Sequence, residues 1–170
     1  MRRADRKSSI RSLKQDRISQ SKAKIRRRLL AELLEERAML AVLSYDDTTK
    51  TLSLTAETGD KDTVTVNSAD GLTYTVEDTA GFSKLDGFAG TNCSATLDGT
   101  STIATVTCAA TTDLTSLLID LGDMDDVINV QSSKDPITIS GGNGSDKINL
   151  GNASNSLDEI DGEISVEGDA

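Results

Sequence analysis

A chain of 170 residues with a formal net charge of −10 has room for one ordinary domain, or for a small domain with a tail. It contains no histidine, which removes the commonest acid–base side chain and the commonest zinc ligand. Its only aromatic residues are Tyr45, Tyr74, Phe82 and Phe88, so beyond Phe88 any core is built from Val, Ile, Leu and Ala.

The charge is divided along the chain. Residues 1–44 hold 13 Lys and Arg against 5 Asp and Glu, a net +8, whereas residues 45–170 hold 5 against 23, a net −18. That shift near Ser44 is the strongest boundary signal in the sequence. An acidic body speaks against nucleic acid as its partner and for divalent cations as counter-ions. No stretch of eighteen apolar residues is present, so no transmembrane helix is expected.

Residues 1–20 are rich in Arg, Lys, Ser and Gln and read as a disordered basic arm. Ser21 can cap a helix from about Lys22 to Leu43, whose apolar stripe includes Ile25, Leu29, Leu30, Leu33, Leu34, Leu40 and Leu43. Glu32, Glu35, Glu36 and Arg37 interrupt that span, so it is not the apolar core of an ordinary signal peptide. Leu34-Glu35-Glu36-Arg37-Ala38-Met39-Leu40 resembles the LEPR-XLL motif found near the basic N-termini of large bacterial surface and secreted proteins. Leu34, Glu35, Arg37 and Leu40 match, while Glu36 stands for the proline and Met39 for a leucine. The resemblance implies a targeting or export role.

From Tyr45 the pattern becomes that of β-strands. Thr51–Thr55, Thr63–Val66 and Leu72–Val76 alternate apolar and polar residues between turn segments such as Ala69-Asp70-Gly71. A hairpin of Cys93–Asp98 with Ile103–Cys108 sets the two cysteines opposite each other. In that register Cys93, Ala95, Leu97, Ala104, Val106 and Cys108 share one apolar face, and the other face is nearly all polar. A register chosen to pair the cysteines thus also segregates the faces, and a Cys93–Cys108 disulfide is expected.

The C-terminal third carries a repeat. Gly141, Gly142, Gly144, Asp146 and Ile148 fill every fixed position of G-G-x-G-x-D-x-U-x. Twenty residues upstream, Gly122, Asp126, Ile128 and Asn129 align with Gly142, Asp146, Ile148 and Asn149. Val166–Ala170 begins a third copy, and Gly59–Asp62 leading into Thr63–Val66 is a looser early echo. Glycines here let the backbone turn tightly and expose carbonyls, and the aspartate adds a carboxylate where the chain leaves the turn. Hard cations take six to eight oxygens of this mixed kind. Stacked turns would bring Asp126 and Asp146 about 5 Å apart, where a cation between them reverses their repulsion.

The pattern resembles the calcium-binding repeat of RTX, or hemolysin-type, proteins. That resemblance implies Ca²⁺ as the bound ion, with Asp126 and Asp146 as side-chain ligands. Asp123 and Asp125 are extra candidates, standing close to positions where Leu121 and Met124 replace glycines of the pattern. Gly141, Gly142 and Gly144 would supply backbone room or carbonyls.

The expected fold is therefore mainly β. It comprises a basic arm and amphipathic helix over 1–44, a β-rich segment over 45–116, and a short β-solenoid of β-roll type over 117–170. The last copy is incomplete, so a longer array is expected. The expected function is a non-enzymatic calcium-binding module of a secreted or cell-surface protein. Its partners would be calcium ions and cell-surface or extracellular-matrix components, with no specific nucleic acid. The alternative is a metal-free structural or adhesive β module. An enzyme is not expected: the Gly-rich turn lacks the spacing of a phosphate loop, and the body offers five lysines and no histidine.

Overall fold

The structure, a computed structural model, describes residues 40–59 and 61–168. The amphipathic helix up to residue 39 and most of the LEPR-XLL-like stretch lie outside the described residues. Among the described residues twelve strands form two six-stranded mixed sheets. In chain order they are β1 (Ala41–Asp46), β2 (Thr51–Thr55), β3 (Thr63–Asn67), β4 (Thr73–Asp78), β5 (Phe82–Asp86) and β6 (Cys93–Leu97). There follow β7 (Ile103–Cys108), β8 (Ser116–Asp120), β9 (Val127–Val130), β10 (Ile137–Ser140), β11 (Lys147–Leu150) and β12 (Ile164–Glu167). The first sheet runs β12-β10-β8-β2-β1-β5 and the second β11-β9-β3-β4-β7-β6.

Two expectations are corrected. The helix expected to reach Leu43 does not do so: residues 41–43 open β1, and no helix occurs among the described residues. The physical reason is the period of two in Ala41, Leu43 and Tyr45, all buried, with Val42 and Ser44 between them. Pairing with β2 on one side and β5 on the other overrides local helix propensity. Nor do residues 117–170 form the short β-roll-like solenoid expected there: the described residues make two mixed sheets. β8 pairs with β2 and β9 with β3, so strands from 45–116 and from 117–170 share both sheets. A short solenoid would leave the first edge of β8 and β9 open, and the earlier strands satisfy those backbone groups instead.

From β8 onward successive strands belong to opposite sheets; β10 and β11 each return beside the strand twenty residues before, and β12 returns beside β10. Leu117 lies beside Ile137, and Val127 beside Lys147, in parallel pairs. The same-facing residues make aliphatic columns. Leu54, Ile119, Ile139 and Val166 form one in the first sheet. Val66, Val130 and Leu150 form another in the second. Residues from both sheets contribute to a single hydrophobic cluster. β4, β7 and β6 add antiparallel strands at the far side of the second sheet, where Tyr74, Val76, Ala104 and Val106 are buried, while β5 runs parallel to β1 in the first. There the rings of Tyr45 and Phe88 stack 5.8 Å apart, and the Tyr45 hydroxyl donates to the Asp113 carbonyl.

Cys93 lies opposite Cys108 in the β6–β7 hairpin, with Cα atoms 4.0 Å apart, and the two are joined by a disulfide. Thiol titration of the denatured, unreduced protein is expected to find no free thiol. Reduction is expected to lower stability by about 3 kcal/mol, read from denaturant unfolding.

Candidate functional site: the stacked aspartate turns

The three turns that precede β3, β9 and β11 lie one over another. Val127 N–H donates to the Asp62 carbonyl at 2.9 Å, Lys147 N–H to the Asp126 carbonyl at 2.8 Å, and Asn143 N–H to the Gly122 carbonyl at 3.0 Å. This backbone frame brings all the sequence-predicted candidates onto one edge. It also adds Asp62, which the looser early echo had only hinted at.

Each candidate carboxylate reaches across to a neighbouring turn. Asp126 Oδ1 accepts from the Asp62 N–H at 2.7 Å, and Asp146 Oδ1 accepts from the Asp126 N–H at 3.0 Å. Asp125 Oδ1 accepts from the Ser145 N–H at 2.9 Å, and Asp123 Oδ1 from the Gly59 N–H. The result is a ladder in which an aspartate holds the backbone of the aspartate one tier below. Charge-assisted bonds of this kind are roughly twice as strong as neutral ones.

The glycines make the approach possible. A side chain on Gly142, whose φ is +70°, would collide with the Gly122 carbonyl, and one on Gly144 with the Met124 carbonyl. A side chain on Gly141 would meet the Asp146 carboxylate. Their role is therefore close packing of turn on turn.

Asp126 differs from the others. It is 1 % exposed, and its Oδ2 has no hydrogen-bond partner. Burial pushes its carboxyl above the ordinary 3.8, against the Asp62 amide, which holds it down; the Asp146 and Asp123 charges add to the rise. Asp123 is half-buried and Asp125 exposed. Among the described residues no three acidic or cysteine side chains converge into a group that could cage a metal ion. The residues fit a cation at one point only, the orphaned Asp126 oxygen.

The opposite edge carries a smaller polar stack that sequence reading did not single out. Ser132 Oγ accepts from the Ser68 N–H at 2.8 Å and donates to Asn67 Oδ1 at 2.6 Å. On the outer face of the second sheet Asn149 donates to Asn129 at 2.8 Å, and Asn129 to Thr65 at 3.4 Å. Serine and asparagine at matching offsets were the available signal, but such residues are common in any turn.

No family model matches this chain, and no curated protein or solved structure matches it.

Two outcomes are expected from the turns. Gly142→Ala loses on the order of 2 kcal/mol or more in denaturant unfolding, whereas Gly99→Ala, which meets nothing within 4 Å, stays near neutral. Asp126 with a raised folded value favours the fold most when protonated. Its contribution is fully present below pH 3.8 and is lost as pH climbs through the folded value. Asp126→Asn keeps an oxygen for the Asp62 amide and removes the buried charge. In calcium-free buffer at neutral pH it raises the thermal midpoint by about 2–4 °C, and the gain vanishes below the ordinary aspartate value.

Proposed function

We propose that residues 40–168 are a non-enzymatic structural β module of a secreted or cell-surface protein, in which acidic turns staple one tier of strands to the next. The observation that carries this is the use made of the carboxylates. Asp123, Asp125, Asp126 and Asp146 each give an oxygen to a backbone N–H on an adjoining turn. An oxidising compartment suits the Cys93–Cys108 disulfide, and the LEPR-XLL-like stretch suits export. Faces rich in Thr, Ser and Asn suit contact with cell-surface or matrix components. No helix among the described residues is long and apolar enough to cross a membrane.

A second reading, calcium binding, rests on one specific observation. Asp126 Oδ2 is buried without a partner beside Asp146, and an uncompensated buried charge is costly. A hard cation there would neutralise both carboxylates and draw on Gly141, Gly142 and Gly144 for carbonyls or room. Asp123 and Asp125 each already give one oxygen to a backbone amide.

Thermal unfolding with and without about 1 mM Ca²⁺, a concentration suited to weak extracellular sites, separates the readings. The structural reading expects the same midpoint in both buffers. It also expects Asp146→Ala to cost about 1–2 kcal/mol equally in both, because an amide of the next tier loses its acceptor. A calcium-dependent rise in the unaltered chain that disappears in Asp126→Asn would establish the second reading instead.

A further inference from the structure

The chain contains a single proline, Pro136, and an aspartate precedes it at the entry to β10. Asp70 and Asp98 spend their oxygens on the amides of their own turns, but Asp135 Oδ2 is buried with no hydrogen-bond partner. Burial is also the sole cause that pushes this carboxyl above the ordinary 3.8. No charge enters that rise, although Lys134 with its partner Asp161, and Glu159 and Glu163, lie in the same or the adjoining tier.

The carbonyl of the same residue is held in place. Ser133 Oγ donates to the Asp135 carbonyl oxygen at 2.7 Å. Ser133 is fully buried and fixed by its own backbone: its N–H donates to the Glu159 carbonyl at 3.0 Å, and its carbonyl accepts from the Asp161 amide at 2.8 Å and the Gly162 amide at 3.3 Å. Gly162 lies against the peptide bond itself, since a side chain there would collide with the Asp135 carbonyl and crowd the Pro136 nitrogen. One peptide bond thus has a hydroxyl fixed on its carbonyl oxygen and an unpartnered carboxyl on the same residue.

We propose that the Asp135–Pro136 bond is a self-cleavage site, at which the Asp135 carboxyl attacks the carbonyl carbon of its own residue. An oxygen of the neutral carboxyl bonds to that carbon, and the Ser133 hydroxyl stabilises the negative charge that develops on the carbonyl oxygen. The carboxyl proton passes to the Pro136 nitrogen, the C–N bond breaks, and a cyclic anhydride is left on Asp135. Water opens the anhydride, giving one chain that ends at Asp135 and another that begins at Pro136. One water is consumed and nothing is oxidised or reduced. Each copy cuts itself once, so the module stays non-enzymatic toward other molecules.

Proline favours this route by closing its rival. At other aspartates the following amide nitrogen can attack the side chain to form an imide, but Pro136 has no N–H to lose. Attacking and attacked groups belong to one residue, so no second reactant has to be brought up. The exposed Pro136 gives water access to the bond. β10 is held between β8 and β12, and the Cys93–Cys108 disulfide lies wholly before the cut. The two pieces therefore stay together while folded and part under denaturing conditions.

Incubation of the full chain at about pH 5, above the ordinary aspartate range, tests the proposal. Denaturing electrophoresis and intact mass are expected to show residues 1–135 and 136–170 accumulating over days, the second piece with an N-terminal proline. The folded chain is expected to be cut about tenfold faster or more than the same chain unfolded in guanidinium at that pH. Equal rates, or a folded chain that stays whole, overturn the proposal. Asp135→Asn and Pro136→Ala are each expected to stay whole, and cutting after residue 135 in either overturns it. Ser133→Ala, read in chain still folded by circular dichroism, is expected to be cut about tenfold slower; the parent rate there overturns the assignment of the hydroxyl.

Discussion

Turn-on-turn stacking is the constraint on which the rest of this molecule depends. Once Lys147 N–H is bonded to the Asp126 carbonyl and Val127 N–H to the Asp62 carbonyl, the strands that follow have no freedom of register. Parallel pairs lack the short hairpin that fixes antiparallel ones, so something in the turns must set their alignment. Here the aspartate ladder does it, because a slip by one residue would leave the Asp62 and Asp126 amides without acceptors in a buried place. The glycines belong to the same constraint. Only a residue without a side chain lets the Gly122 and Met124 carbonyls come so near the next turn.

The cost of this arrangement is concentrated at Asp126. Asp146 beside it in the ladder is half-buried, whereas the second oxygen of Asp126 is shut away from water. A buried carboxylate with one good bond and nearby like charges is the least comfortable group on this edge, and a proton or a cation would relieve it. The same stacking that gives register therefore creates a place where the module can respond to its surroundings. Exposed aspartates elsewhere act oppositely: the Thr73 and Leu72 amides hold Asp70 below the ordinary value, and the Thr100 hydroxyl, then the Ile103 amide, hold Asp98 there. Their contribution is present at neutral pH and is lost on acidification, while that of Asp126 is gained.

Much of the strand pattern was legible. The hairpin of Cys93 with Cys108 could be read because a single register satisfied two independent conditions, cysteine pairing and face segregation. The twenty-residue repeat could be read because Asp126 and Asp146 share one aligned glycine, Gly122 with Gly142, and the Ile-Asn that follows. β1 was not legible: Ala41-Val42-Leu43 continues a run with strong helix formers, and only its two strand partners reveal a period of two. β5 was missed for another reason. Only Phe82 in it is fully buried, so its sequence shows hardly any alternation.

Sequence alone determined that the body is acidic and built of short β-strands, where its turns fall, and that equivalent aspartates recur at a fixed spacing. Those properties are local, or repeat at short range, and side-chain period and turn chemistry encode them directly. Only the tertiary structure decided that β2 and β3 sit beside β8 and β9, some sixty-four residues away, and so merged the expected solenoid with the preceding segment into two mixed sheets. All these strands share the same alternation of Val, Leu, Ile and Thr, and a period of two says which face is buried but not which neighbour covers the edge. It likewise decided that the carboxylates turn toward backbone amides. Whether an aspartate in a glycine-rich bend serves a cation or an N–H depends on what the next layer places within reach.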